Sequence, residues 1–281
     1  MRRPAPDALH WSAAYRAGAA AAQSSAWRAR LHLPAWPWAR LLSIPLFLAA
    51  WQAVVAAELV NPILFPAPLT VARALAQYAA SGELWQDLFW SLRRVLAGFF
   101  CGAAAGIAIG LLTGSSRLMA DLLTPIFQML RPIPPIAFVP VVIVWFGLSE
   151  WGKVFLVFWG VFFTVWLSAH FGVQRMNETL LRAGQCLGAG PLTLLLQIRL
   201  PASLPAIFVG LRSAVAISFY TLVAAELAGA NAGIAYRLDV VQQNMQIDRM
   251  MAGLVMLGAV SLVADYLFGL MQRRLVRWSG S

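Results

Sequence analysis

Apolar stretches of about twenty residues recur along the chain, separated by short segments where arginine, proline and polar residues collect. Such a run crosses a hydrocarbon core as a helix, since about 20 residues at 1.5 Å each reach about 30 Å. The pattern predicts six spans, at about residues 40–59, 94–114, 120–148, 154–174, 205–227 and 250–271. The third is interrupted by Arg131 and by Pro132, Pro134, Pro135 and Pro140, in "RPIPPIAFVP". Each proline removes a donor and frees a carbonyl one turn earlier, which membrane depth tolerates only where protein or a water-filled cavity supplies a partner. The stretch reads either as a structural kink or as the border of a pathway, and proline alone does not choose.

Composition sharpens this picture. The 281 residues are 60% hydrophobic and 11% charged, against about 25% charged in soluble domains. The expected class is an all-α polytopic membrane protein. A net charge of +10 raises nucleic-acid binding, but the arginines are scattered among apolar runs and form no basic stripe, so no nucleic acid is expected. The excess is topological. Six spans put both termini on one side, and with the termini cytoplasmic the inner segments carry 13 of the 21 basic residues and the outer ones 6, as the positive-inside rule requires. Residues 1–38, with five arginines and no secretory h-region, read as a loose cytoplasmic arm. An Arg-rich, acid-poor arm also fits a transit peptide, and Trp36 and Trp38 fit interfacial anchoring as well. Cys101 and Cys186 lack metal-ligand spacing and are expected to be unpaired packing residues.

"GLSEWGKV", Gly147 to Val154, comes close to a phosphate-gripping P-loop. It ends on Val154 where a Ser or Thr hydroxyl would hold magnesium, and apolar runs of near-membrane length flank it, so it reads as a turn between two membrane helices. No catalytic or metal-binding set is expected. The second span places Gly98, Gly102, Gly106, Gly110 and Gly114 four residues apart. Each step of four advances about 40° beyond one turn, giving a slanting ridge for close approach by another helix, of the same chain in the first instance. Glu226 ends the fifth span and Arg212 lies near its start. At 1.5 Å per residue they stand about 21 Å apart and cannot pair within one helix. Arg212 is expected to snorkel. Glu226 is expected near the outer boundary as a solvated acid, a partner for a cation of a neighbouring protomer, or a gating or pathway residue, the last preferred. Asp265 is assigned to anchoring beside Arg273 and Arg274.

Between the fourth and fifth spans lies "ETLLRAGQCLGAGPLTLLLQIRLPASLPAIFVGLR", too polar and too broken to span. It predicts a short helix, a turn at Gly188, and a second short helix to Ile198, stopped by Pro201 and Pro205. The segment resembles the cytoplasmic loop of ABC importer permeases, whose pattern is Glu-Ala-Ala, three residues, Gly, nine residues, Ile, one residue, Leu-Pro. Ala183 fills the first alanine position, and Gly188, Ile198, Leu200 and Pro201 fall at the expected distances. Arg182 stands at the glutamate position, reversing its charge, and Gly184 replaces the second alanine; Glu178, one turn upstream, is a candidate substitute for the missing acid. The likeness extends over about residues 60–278 and resembles most the nitrate, sulfonate and taurine subgroup, in "SGELWQDLFWSLRRVLAGF", "LRPIPPIAFVPVVIVWFG", "LVAAEL" and "RRLVRW".

The resemblance implies an ABC importer permease (MetI-like) fold over residues 39–281, with an ATPase-coupling loop at about 175–204. It implies a bacterial inner-membrane, multi-pass subunit, not an enzyme, working as one of two permeases, expected as a homodimer. Its partners are a cytoplasmic ABC ATPase dimer, which uses the ATP and magnesium, and an extracytoplasmic solute-binding protein. The implied cargo is a small anion such as a sulfonate, taurine or nitrate, or alternatively a thiamin-precursor pyrimidine. An ion-coupled secondary transporter is the competing class, which would favour inverted repeats and a mid-membrane acid; no clear repeat is visible, and a mere scaffold needs neither the broken span nor the loop.

Overall fold

A computed structural model describes residues 37–275; the arm expected at 1–38 lies, but for its last two positions, outside the described residues. Among these every regular element is helical. The first helix, α1 (Pro37–Ala56), falls mostly in a separate unit and is described by itself: it carries Pro45 internally and packs Phe47 against Trp51 with ring centroids 6.3 Å apart.

The second unit, residues 55–281, holds the rest. In order these are α2 (Pro68–Ala80), α3 (Glu83–Ser115), α4 (Arg117–Leu130), a 3-10 turn (Pro135–Phe138), α5 (Val139–Phe146), α6 (Glu150–Gln174), α7 (Glu178–Cys186), α8 (Pro191–Leu227), α9 (Ile234–Gln243) and α10 (Ile247–Leu275). Four of them, α3, α6, α8 and α10, are long and apolar enough to cross a membrane. The pair formed by α4 and residues 135–146 passes the same test together but is bent by 87°. Where the sequence predicts six spans, the described residues hold four, or five with the bent pair counted as one; the apolar part of α1, Leu42–Ala56, is shorter.

The centre is the α3–α6 seam. Lipid tails are as apolar as leucine, so helices associate in a membrane through close packing, which small residues permit. A Cβ on Gly102 would lie 2.9 Å from the Phe158 carbonyl oxygen, and one on Gly106 2.9 Å from that of Phe162. At Gly98, Gly110 and Gly114 the obstacles are Val157, Ala169 and Val173. The glycine ridge therefore meets a helix of the same chain, as the spacing suggests. Leu156, Val157, Val161, Val165, Trp166 and Ala169 of α6 are fully buried. The other flank of α6 receives α8 by the same device, with Gly160 against Thr221, Gly172 against Ser203 and Gly210 against Ser168.

Element boundaries depart from the pattern in three places. Helix α3 starts at Glu83, 11 residues before the expected span; Asp87 and Arg94, which argue for a boundary there, are satisfied by partners far along the chain. Pro201 and Pro205 do not end a helix: Leu194–Arg199 forms a π turn that absorbs the missing donor, with the Leu200 N–H donating to the Leu195 carbonyl, and α8 runs through without a break. The short helices α2 and α9 are not anticipated.

Candidate functional site

Three features stand out, at one end, the middle and the opposite end of the helices. At the first end lies the loop of residues 175–204. Asn177 caps α7, its side chain accepting from the Thr179 N–H at 2.9 Å. The helix closes on a Schellman motif: the Gly188 N–H donates to the Gln185 carbonyl and the Ala189 N–H to that of Gly184, each at 3.0 Å, with Gly188 at φ +79°. The two glycines do different work. Gly188 is open to space but needs the left-handed backbone. Gly184 is buried, and a Cβ there would run into the Ile198 side chain and come within 3.0 Å of Leu194. Ile198 is thus the residue that seats α7 against the start of α8. Ala183 and Arg182 are exposed, while Leu200 and Pro201 are half-buried. Leu187 at the turn is 88% exposed. Glu178, the candidate substitute for the missing acid, is paired with Arg182 itself at 2.7 Å on the same exposed helix face. The Arg199 guanidinium donates to the Ser115 carbonyl at 3.1 Å, tying the π turn to the carbonyl end of α3.

At the opposite end sits a buried polar network that the sequence does not reveal. Arg94 grips Glu150 bidentately, Nε to Oε2 at 2.6 Å and Nη2 to Oε1 at 2.8 Å, and also donates to Glu226 at 2.9 Å and to the Ala232 carbonyl at 2.6 Å. Glu226 further accepts from the Ser91 hydroxyl at 2.7 Å and from the Ala235 N–H at 2.8 Å. Asp87 accepts from the Gly233 N–H, the Tyr78 hydroxyl and Arg237, and Ser91 accepts from the Ile234 N–H. The unpaired N–H groups at the start of α9 are thereby met by two buried carboxylates and a hydroxyl carried on α3 and α8, as a helix N-terminus favours. Burial, followed by the hydrogen bond to Asp87, pushes the Tyr78 phenol up, keeping it a donor; Arg237 is desolvated, but Asp87 beside it more than compensates and raises its pKa.

Glu226 is 1% exposed. It stands neither as a solvated interfacial acid nor free for a neighbour's cation, since both its oxygens are taken within the chain, and a carboxylate so enclosed does not front a pathway in this conformation. Arg212 likewise does not snorkel alone, nor is Asp265 held by Arg273 and Arg274: the two form a bidentate pair, at 3.1 and 2.9 Å, between α8 and α10. Lys153 of the near P-loop folds back, donating to the Leu148 carbonyl at 2.9 Å and to Glu150 at 3.1 Å. That segment is the turn between α5 and α6, with Gly147 at φ +63°. Cys101 and Cys186 are unpaired but exposed, so neither packs in a core.

In the middle lies the broken span. Phe127 of α4 meets Phe162 and Trp166, and Phe138 beyond the break meets Trp159 at 4.3 Å. Pro132 and Pro134 are exposed and Pro135 is half-buried. The break borders a groove of about 310 Å³ against α6 and α8. No cluster of metal-binding side chains occurs among the described residues.

A chain of packed apolar helices, one of them broken, with a protruding clamped loop fits membrane transport, and comparison with known proteins agrees. Residues 102–277 match the family model "Binding-protein-dependent transport system inner membrane component". The chain is 31% identical to the taurine transport system permease protein TauC of Escherichia coli (strain K12) over 255 residues, 87% of this chain and 93% of that one. It is 33% identical over 261 residues to the bicarbonate transport system permease protein CmpB of Synechococcus elongatus, covering 89% and 92%. Among solved structures it resembles the inward-facing MetNI methionine ABC transporter, with a TM-score of 0.58 at 18% identity over 68% of this chain and 96% of that one, a likeness of fold. The chain belongs to the family of binding-protein-dependent transport system inner membrane components, the permease subunits of ABC importers.

Proposed function

We propose that this permease carries a small oxyanion such as a sulfonate, delivered by an extracytoplasmic binding protein, across a bacterial inner membrane. In this reading α1 and the bent pair complete six spans and both termini are cytoplasmic. Two copies of the chain pair, and an ATPase dimer docks on residues 175–204, using its own ATP and magnesium. The single observation that carries the mechanism is the union of α7 with α8. Gly184 seats on Ile198, and α8 continues from there into the membrane without a break. A displacement applied to the exposed face of α7 is thus delivered to a membrane helix through packed side chains rather than through a slack linker. The relatives named for taurine and bicarbonate support a cargo that bears an oxyanion group. An ion-coupled carrier would need a free acid at depth, whereas Glu226 is fully occupied by Arg94, Ser91 and the Ala235 N–H.

The test is reconstitution of the chain with its ATPase and binding protein in proteoliposomes supplied with radiolabelled taurine and ethanesulfonate. Uptake that requires both partners and ATP supports the reading. Uptake by the chain alone, driven by an ion gradient, refutes it.

A further inference from the structure

Most charged groups on the long helices are matched. Arg94 has Glu150 and Glu226, Arg212 has Asp265, and Lys153 has Glu150. Arg131 is different. It is exposed and has no carboxylate or carbonyl partner for its guanidinium among the described residues. Its own N–H donates to the Phe127 carbonyl at 2.9 Å, so it sits at the C-terminal end of α4. The helix dipole favours a cation there but satisfies none of the five guanidinium donors.

Depth is what makes this unusual. Helix α6 has 25 residues, about 37 Å at 1.5 Å each. Arg131 shares its groove with Trp159, Gly160 and Thr164, around the midpoint of α6, and with Tyr220 and Thr221 of α8. Half of α6 is about 18 Å, further than an arginine side chain reaches to either surface. A cation held at that depth against lipid costs at least about 2.5–3.5 kcal/mol, so intramembrane charges face protein or water-filled cavities. The surroundings suit an anion: no carboxylate lines the groove, and Tyr220 is 66% exposed. A fixed positive charge and a phenol-bearing residue thus border a space of about 310 Å³, at the foot of the proline break.

We propose that Arg131 is the anion-binding residue of the translocation route, contacting the oxyanion group of the cargo at mid-membrane with Tyr220 as a supporting donor. The proposal rests on the importer reading above and names the residue that confers its charge preference. Planar guanidinium pairs with an oxyanion through two parallel N–H···O bonds, which an ammonium cannot copy.

Two measurements on the assembled transporter test it. In a background with Cys101→Ser and Cys186→Ser, R131C is exposed to the water-soluble, negatively charged sulfonatoethyl methanethiosulfonate, with L262C, at an exposed apolar position midway along α10, as the control. Arg131 on a wet route predicts labelling at least about tenfold faster than the control; an unreactive R131C overturns the proposal. In proteoliposomes with the ATPase and binding protein, R131Q is expected to lower initial taurine and ethanesulfonate uptake at least about tenfold, with R131K intermediate. Wild-type uptake by R131Q overturns the role of Arg131 and leaves the importer reading standing. Wild-type protein that carries a neutral pyrimidine but neither sulfonate overturns it too, leaving an ABC permease of another cargo. Uptake that needs no ATP instead refutes the importer reading, while the labelling rate still decides whether position 131 meets water.

Discussion

Arg94 and Glu226, 132 positions apart in sequence, stand 2.9 Å from each other with 2% and 0% of their side chains exposed. Such a pair contributes little net stability compared with apolar residues of the same shape, because both ions are desolvated, but removing one partner alone leaves the other buried and uncompensated. We predict that Glu226→Ala lowers unfolding stability in detergent by about 3–5 kcal/mol. Adding Arg94→Met should recover part of the loss, the mark of coupling between the two sites. A Glu226→Ala protein with wild-type thermal unfolding would return this residue to a purely transport role.

The glycine ridge makes a sharper prediction. At Gly106 a Cβ meets backbone of α6, which cannot rotate away. Gly106→Leu should cost at least about 1–3 kcal/mol, as overpacking does. Gly258 in α10 has nothing within 4 Å of a Cβ and an ordinary backbone, so Gly258→Ala should be neutral or stabilise by up to about 1 kcal/mol through helix propensity. Thermal scans of both variants in the same detergent decide the matter, and equal behaviour would refute the account of the seam.

In the loop, the two glycines should fail in different ways. Gly188→Ala forces a Cβ into the left-handed region at about 1–2 kcal/mol, whereas Gly188→Asn should cost less because asparagine tolerates that backbone. Gly184→Leu should instead unseat Ile198. Substrate-stimulated ATP hydrolysis by the reconstituted complex should fall for Gly184→Leu and Gly188→Ala and be largely kept by Gly188→Asn; the reverse order for the two Gly188 variants would count against the backbone argument.

Lys153, the chain's lone lysine, holds the turn before α6 together by donating to Leu148 and Glu150. Lys153→Met should reduce stability by about 1–3 kcal/mol, from polar groups left without a donor. The ATP dependence of the complex should not change. A raised KM for ATP in this variant would revive the phosphate-binding interpretation of "GLSEWGKV".

What the sequence makes legible follows from how local each signal is. The ridge at Gly98 to Gly114 and the turn at Gly188 are set by spacing within one segment, and read correctly as a close-packing face and a break between two helices, though the second helix is the start of α8 rather than a short one. Pro201 misleads because a π turn absorbs a missing donor as well as a helix end does. Helices α2 and α9 escape notice because 13 and 10 residues of mixed polarity make no membrane-length run. The Asp87, Ser91, Arg94 and Glu226 network is the clearest loss. Its charges resemble a span boundary until partners more than 130 positions away are known, and a hydropathy pattern carries no information about such pairs. Position 131 was visible as a charge inside a span, but its depth and lack of a carboxylate partner required the geometry.

Five absent side chains let α3 lie directly against the backbone and the short Val and Ala side chains of α6, with no long side chain in between to yield. The two behave as one stiff beam across the bilayer, fastened by the Arg94–Glu150 pair toward one end and by Thr113 with Trp166 and His170 toward the other. Any stroke of the machine then falls to parts lying off that beam, the segment bent by 87° around Pro132 and Pro134 among them.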